Sequence, residues 1–402
     1  MPRRPYQISK SITSTLLKEC ESTFGFNINH QTRYVGLSKS IEKKCKEYIS
    51  PKTISRAFSK EKKHSCSKHT LDIFANYCGY NDVETYSKLY AREEVRITKE
   101  EFKILKEIYN YKNYYVSLEY RDPVLMSISK IIVSKLREST EDYLDLVNEY
   151  SDNPVAQNYF IEQSIDYDNL AIHYHKALKT YLQNKHDKEA KIFGNSVLYL
   201  NAFLTQNEKQ CNHYYRKVIS LTLDDNIHPF VIGRYFSTVI LHEKIYIKKD
   251  ISHILKEILT IEKTIKKEGR DYMKFPGFHF TICDSLIKCG EYDVAKTLIN
   301  SAFTNYPDGQ KDVDDGYYEA MYLFMAICSH NLNDYKTRDR YYKLCQKIPY
   351  NFLSQKYYSI QQKLLELNLP DKKKKQIKKD LEVLIHHTKF SYFQTELNKW
   401  TL

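Results

Sequence analysis

Only 10 glycines and 10 prolines occur in 402 residues, and this scarcity of chain-turning residues constrains the fold more than any other feature of the sequence. An all-β chain needs a tight turn after every short strand, and such turns draw on Gly and Pro for their backbone angles. Long helices with short connections need far fewer. An all-α chain is therefore predicted. At 402 residues it is long enough for two or three domains or for one elongated repeat array. Hydrophobic residues (42%) and charged residues (28%) stand near ordinary globular values, so most of the chain is expected to fold.

Other compositional features carry less. The 36 tyrosines against one tryptophan, with abundant Lys, Ile and Asn, are the bias of an AT-rich coding sequence. The first residues, "MPRRPYQISKSITSTLLKEC", are basic but lack the apolar segment of a secretory signal. The longest apolar run, "AMYLFMAIC" at 320–328, is about half of what a bilayer requires. A cytoplasmic protein without membrane contact is expected. Nine cysteines are scattered without a CxxC pair, as suits free thiols in a reducing compartment. His64, Cys66, His69 and Cys78 form the one grouping of ligand types, yet Cys78 continues an apolar helical stripe with Leu71, Phe74 and Ala75. Packing accounts for it, and no metal or other cofactor is expected.

The net charge of +12 is unevenly spread: residues 1–70 hold 15 basic and 5 acidic side chains, whereas residues 101–402 hold 43 and 39. A one-sided positive field of this kind attracts polyanions, of which nucleic acid is the commonest. Within the basic region, Ser50 followed by Pro51 is a strong helix start, because proline lacks only an N–H that would be orphaned there. A helix over 50–59 then places Ile54, Ala57 and Phe58 on one side and Lys52, Arg56, Ser59 and Lys60 on the other. Upstream, Leu37, Ile41, Cys45 and Ile49 mark one stripe of a preceding helix separated from it by almost no linker. Downstream, Ser67 is expected to cap "KHTLDIFANYC", Gly79 to end it, and Asn81 to cap "DVETYSKLY".

Two helices meeting at a short turn, the second cationic and amphipathic, make a helix-turn-helix pattern. "SPKTISRAF" resembles the recognition helix of repressor-like (Xre-type) DNA-binding domains, and "SKHTLDIFANYCGYNDVETY" resembles the helices that follow it there. The likeness covers residues 30–90. It implies that Lys52, Thr53 and Arg56 face base edges and phosphates of double-stranded DNA, while Ser50 and Lys60, Lys62 and Lys63 hold the backbone; Ser55 completes the expected contact set. The first helix departs from that family's pattern, with Lys44 and Cys45 near the usual small Ala and no Gly before the turn. A structural module whose lysines serve only solubility is the other reading.

A boundary is expected near 91–98, where the charged "AREEVRI" precedes a Thr98–Glu101 capping box, giving domains 1–95 and 98–402. Further helix starts follow at Asp122–Pro123, Asn153–Pro154 and Pro370–Asp371. "GEYDVAKTLINSAFTNYP" (290–307) resembles the second half of a tetratricopeptide repeat, with Gly290 at the turn, Tyr292, Ala295 and Ala302 at helix contacts, and Pro307 at the end. A looser copy, 333–349, sets Tyr335 at an offset of 43 from Tyr292, and weaker ones fall around 170–183 and 195–218. The resemblance implies an α-solenoid of tetratricopeptide-like helix hairpins with an extended concave face. Asn195, Tyr199, Tyr318 and Tyr322 are candidates to hold a peptide or protein there, the alternative being that they fill inter-repeat packing. The lysines of "DKKKKQIKKD" (371–380) read as a solvated capping helix or an anion contact.

Enzyme signatures are missing: no Gly-rich phosphate loop, GxSxG or HExxH occurs, and neither His173 with His175 nor His386 with His387 has ligand spacing. The expected function is a non-enzymatic, DNA-binding transcriptional regulator. Its body would sense a peptide, a protein or a sister subunit in a homodimer, a layout resembling peptide-sensing regulators. An interaction scaffold whose basic head binds protein or RNA is the alternative.

Overall fold

The computed structural model describes residues 10–26, 28–58, 66–90, 107, 109, 123–268, 277–305, 317–347, 350–370 and 373–399. These residues form helices and turns and contain no strand, as the scarcity of Gly and Pro requires. The chain divides into two compact units, Met1–Arg96 and Ile97–Leu402.

The described part of the first unit comprises α1 (Lys10–Phe24), α2 (Gln31–Cys45), α3 (Pro51–Phe58), α4 (Lys68–Cys78) and α5 (Val83–Tyr90). The centre is α4, which packs on α1, α2 and α5 and buries Leu71, Ile73, Phe74, Ala75 and Tyr77. Its ends are set locally. Ser67 Oγ accepts the Thr70 N–H at 3.2 Å, and Gly79 takes the left-handed conformation (φ 103°) in which a glycine meets no Cβ clash. The cap of α5 is Asp82 rather than Asn81: its Oδ1 accepts the Thr85 N–H at 2.6 Å, which holds the carboxyl below its ordinary range.

In the second unit the described elements are α6 (Pro123–Leu136), α7 (Thr140–Glu149), α8 (Pro154–Ala156), π-helical Gln157–Glu162 and Leu170–Tyr174, α9 (His175–Asn184), α10 (Lys188–Leu204) and α11 (Glu208–Ile219). After them come α12 (Pro229–Leu241), π-helical His242–Ile247, α13 (Ser252–Lys267), α14 (Gly277–Lys288), α15 (Tyr292–Asn305), α16 (Tyr317–Asn331), α17 (Tyr335–Cys345), α18 (Gln355–Leu367), α19 (Lys374–Thr388) and α20 (Ser391–Asn398). Asn153 caps α8 as expected, its Oδ1 accepting the Ala156 N–H at 3.0 Å ahead of Pro154. Thr98, Glu101, Asp122, Pro307, Pro349 and Asp371 lie outside the described residues.

Three helix pairs reverse direction in the same way. Gln206 (φ 54°), Gly290 (φ 78°) and Asn333 (φ 59°) stand left-handed after α10, α14 and α16. In each turn the next N–H reaches back to the carbonyl five residues earlier: Asn207 to Ala202 (2.8 Å), Glu291 to Leu286 (3.0 Å) and Asp334 to Ser329 (2.8 Å). Helices α10, α12, α14 and α16 then pack each upon the next, with α11, α13, α15 and α17 beside them. The inner row is enclosed, α14 being buried from Gly277 through Ile287. Helices α12 and α14 approach most closely at Gly233, where a Cβ would stand 2.2 Å from Thr281 Oγ1 and 2.9 Å from the Phe278 carbonyl.

The end of this unit returns to its beginning. Asp168 donates its N–H to the Leu353 carbonyl at 3.0 Å and accepts the Tyr357 N–H through Oδ1 at 3.0 Å. Arg137 joins in, donating to Asp166 at 2.7 and 3.0 Å and to the Phe352 carbonyl. Farther along, Tyr392 lies against Phe203 with ring centroids 4.8 Å apart, and Gln206 Nε2 donates to Thr395 at 2.8 Å.

Two outcomes follow. Gly233→Ala should destabilise the chain by about 1–3 kcal/mol, because the methyl group overpacks a backbone contact that a rotamer change cannot relieve; a thermal melt unchanged from wild type would refute the close approach. Arg137→Met should cost about 3–5 kcal/mol by leaving two buried carboxylates without their cation, read as a lower urea midpoint.

Candidate nucleic-acid interface

The expected recognition helix is α3. Ser50 Oγ accepts the Thr53 N–H at 3.1 Å and meets Thr53 Oγ1 at 2.9 Å, so the two hydroxyls cap the helix. Ile54 is fully buried, and Phe58 sets its ring edge-on to Phe74 at 5.9 Å. These anchors turn Lys52 and Arg56 outward, where both are exposed; Thr53 and Ser55 are partly exposed beside them. Lys60, Lys62 and Lys63 lie outside the described residues.

The approach to α3 differs from the expected stripe. Helix α2 ends at Cys45, and Lys46 takes a left-handed conformation (φ 60°), its N–H capping back onto the Glu42 carbonyl at 3.0 Å. Five residues, 46–50, therefore separate the two helices where almost no linker was expected. Ile49 is still buried, at 4% exposure, but from this connection: Ser38 Oγ donates to its carbonyl at 2.6 Å. A lysine thus takes a backbone conformation that glycine adopts more readily.

Lys39, Lys43 and Lys46 are exposed along α2 and the connection, and with Lys52 and Arg56 they form no ion pair among the described residues. Lys68, by contrast, is paired, reaching Asp72 at 3.2 Å and Glu84 at 3.5 Å. A run of cations without ion pairs, interrupted by Glu42 and Glu47, therefore extends from α2 through the turn to α3. The sequence reading overlooked Tyr48, which is 64% exposed in the middle of that run. Helical spacing sets Tyr48 on the stripe of Leu37, Ile41 and Cys45, so the sequence carries no signal of its exposure, which follows from α2 ending at Cys45.

Among the described residues no group of His, Cys, Asp and Glu side chains could hold a metal ion. Cys78 Sγ stands 3.4 Å from Cys20 Sγ across the α1–α4 contact, His69 is exposed on α4, and His64 lies outside the described residues. Burial pushes the Cys20 thiol well above its ordinary value.

In the second unit, Asn195, Tyr199, Tyr318 and Tyr322 are 5%, 0%, 5% and 8% exposed, so their side chains line no open face. Asn195 Nδ2 donates to the Lys191 carbonyl at 2.7 Å, Tyr199 meets His242 Nδ1 at 3.4 Å, and Tyr318 and Tyr322 pack on the Phe303 ring. Their partners lie on their own or neighbouring elements, so these side chains fill inter-helix packing. One cleft of about 370 Å³ stays open between α14, α16, α18 and α20, walled by Ile287, Tyr292, Ile327, Leu364, Tyr392 and Phe393. His386 and His387 are neighbours on α19, with ring centroids 5.9 Å apart.

No described helix is long and apolar enough to cross a membrane. No protein-family model, curated protein or solved structure matches the chain.

Ser50→Ala removes the side-chain cap of α3 and should cost about 1 kcal/mol. Alanine at Lys52 or Arg56 should stay within about 0.5 kcal/mol of wild type. Urea denaturation of the three variants checks both; a large loss at Lys52 or Arg56 would place those side chains in the core.

Proposed function

We propose that the chain is a non-enzymatic regulator of transcription. Its amino-terminal unit binds duplex DNA through α3, and its carboxy-terminal unit, a tetratricopeptide-like array, receives a partner. The observation that carries this reading is the outward-facing charge, without ion pairs among the described residues, of Lys39, Lys43, Lys46, Lys52 and Arg56 on two helices joined by a short connection. Phosphates supply a counter-charge, and α3 presents Lys52, Ser55 and Arg56 along one face as a helix entering the major groove does. Partner binding is assigned to the open cleft of about 370 Å³. That volume suits a small amphipathic ligand or one or two apolar side chains of a peptide.

A second reading, a scaffold whose head binds single-stranded RNA, is favoured by the exposed rings of Tyr48 (64%) and Phe26 (52%), on which bases would stack.

Fluorescence anisotropy on a random-sequence duplex across a salt series tests the first reading. Wild type should show log affinity falling linearly with log salt. The Lys52→Ala/Arg56→Ala double variant should bind more weakly, with a slope shallower by roughly 1.8, at about 0.9 for each lost phosphate contact. Duplex affinity unchanged in the double variant removes the DNA role. Loss of single-stranded RNA binding in Tyr48→Ala would then establish the second reading.

A further inference from the structure

Two sulfur atoms meet in the first unit. Cys20, on α1, and Cys78, the last residue of α4, are 58 positions apart in the chain, and their Sγ atoms stand 3.4 Å from each other. A disulfide bond is about 2.0 Å long, so the two sulfurs are in contact without being bonded. The helices are also held on each other at this level: the Tyr80 hydroxyl, just past α4, donates to Glu19 Oε1 on α1 at 2.9 Å. Bridging therefore calls for small rotations of two side chains and no movement of either helix.

The two thiols differ in access. Cys20 is fully buried, whereas Cys78 is partly exposed. Burial, with Cys78 beside it, holds the Cys20 thiol well above its ordinary value, so it stays protonated and closed to solvent. An oxidant therefore meets Cys78 first, and Cys20 is placed to complete the reaction from the interior. Cys45, at the end of α2, acts on Cys20 electrostatically, but the sulfur 3.4 Å away is that of Cys78.

We propose that Cys20 and Cys78 are a modification site for hydroperoxides, at which oxidation forms a disulfide between α1 and α4. The Cys78 sulfur attacks the terminal oxygen of the hydroperoxide. The O–O bond breaks, an alcohol or water leaves with the thiol's proton, and Cys78 becomes a sulfenic acid. Cys20 Sγ then attacks the Cys78 sulfur; the S–O bond breaks, the leaving hydroxide takes the Cys20 proton, and the products are the disulfide and water. Two thiols are thus oxidised and one peroxide is reduced, and a dithiol reductant reverses the bridge by thiol–disulfide exchange. Contact between the sulfurs makes the second step intramolecular, which offsets the poor reactivity of a buried thiol.

The segment that the bridge encloses contains α2 and α3, and α4, which Cys78 ends, is the packing centre of the unit. A cross-link around them removes freedom from the unfolded chain and so stabilises the folded unit. In a reducing compartment such a bridge is transient, and the stability of the unit then follows the level of oxidant.

Peptide mapping of the full-length chain reads the site. The native chain is treated with an equivalent of hydrogen peroxide, its remaining thiols are alkylated, and the digest is analysed by mass spectrometry. The expected product is a linked pair, Cys20 with Cys78, lighter by two hydrogen atoms than the separate peptides and split by dithiothreitol. The melting transition of the first unit should rise by about 10 °C on bridging. Cys20→Ala should leave Cys78 carrying added oxygen in place of the bridge, and Cys78→Ser should leave Cys20 a thiol. Should either variant fail to fold, the wild-type map and melt decide alone. Intact thiols at both positions, a bridge from Cys78 to another cysteine, or a melt unaltered by bridging would overturn the proposal.

Discussion

Three consecutive residues, Asp166, Tyr167 and Asp168, hold the second unit together from inside. Both carboxylates face Arg137, Asp168 also accepts the Tyr357 N–H, and Tyr167 accepts from Arg234 while stacking on Tyr357 at 5.2 Å. The start of the unit is thereby tied to α12 and to α18. Burial raises the Asp168 carboxyl above its ordinary value, and Arg137 beside it acts against that rise. Burial also lowers His173 to about 4, which leaves it neutral near pH 7, so Arg137, with Lys356 beside Asp168, supplies positive charge at this junction. Such buried pairs gain little over well-packed apolar residues, but they accept few alternative geometries. Their consequence is specificity: α18 returns to one place.

That closure changes what the helical array can do. An open stack of helix pairs offers its inner helices to a ligand, whereas here the inner row is covered by the chain's own last helices. Asn195, Tyr199, Tyr318 and Tyr322 have the residue types of a binding face and the burial of a core. An open cleft lies where α18 and α20 meet α14 and α16.

The features legible in the sequence are those decided within a few residues. Ser50, Ser67 and Asn153 accept the N–H groups three residues on, and Gly79 and Gly290 take left-handed conformations at helix ends, because caps are local chemistry. The displaced helix end at Cys45 was less legible, since Ile49 continues the helical stripe numerically and is buried from a non-helical position. Lys46, Gln206 and Asn333 take left-handed angles without being glycine, so a search for glycine passes over those turns. Contacts between residues far apart in sequence were illegible. Arg137 meets the Phe352 carbonyl across 215 positions, and no periodicity near either residue announces the other.

Lysine serves opposite ends in the two units. On the surface of the second, Lys244 pairs with Glu291 at 2.7 Å, Lys296 with Asp334 at 2.8 Å and Lys363 with Asp380 at 2.8 Å, so charges on different helices cancel locally. On α2 and α3 the cations stand without such partners among the described residues, and like charges gathered on one surface oppose one another. Solubility alone does not call for that arrangement, because interspersed pairs give a well-hydrated surface without the repulsion. A polyanion removes the repulsion and releases its own counterions in doing so, and both effects act only on binding. The distribution of charge, more than its total, is therefore what the nucleic-acid role proposed for the first unit rests on.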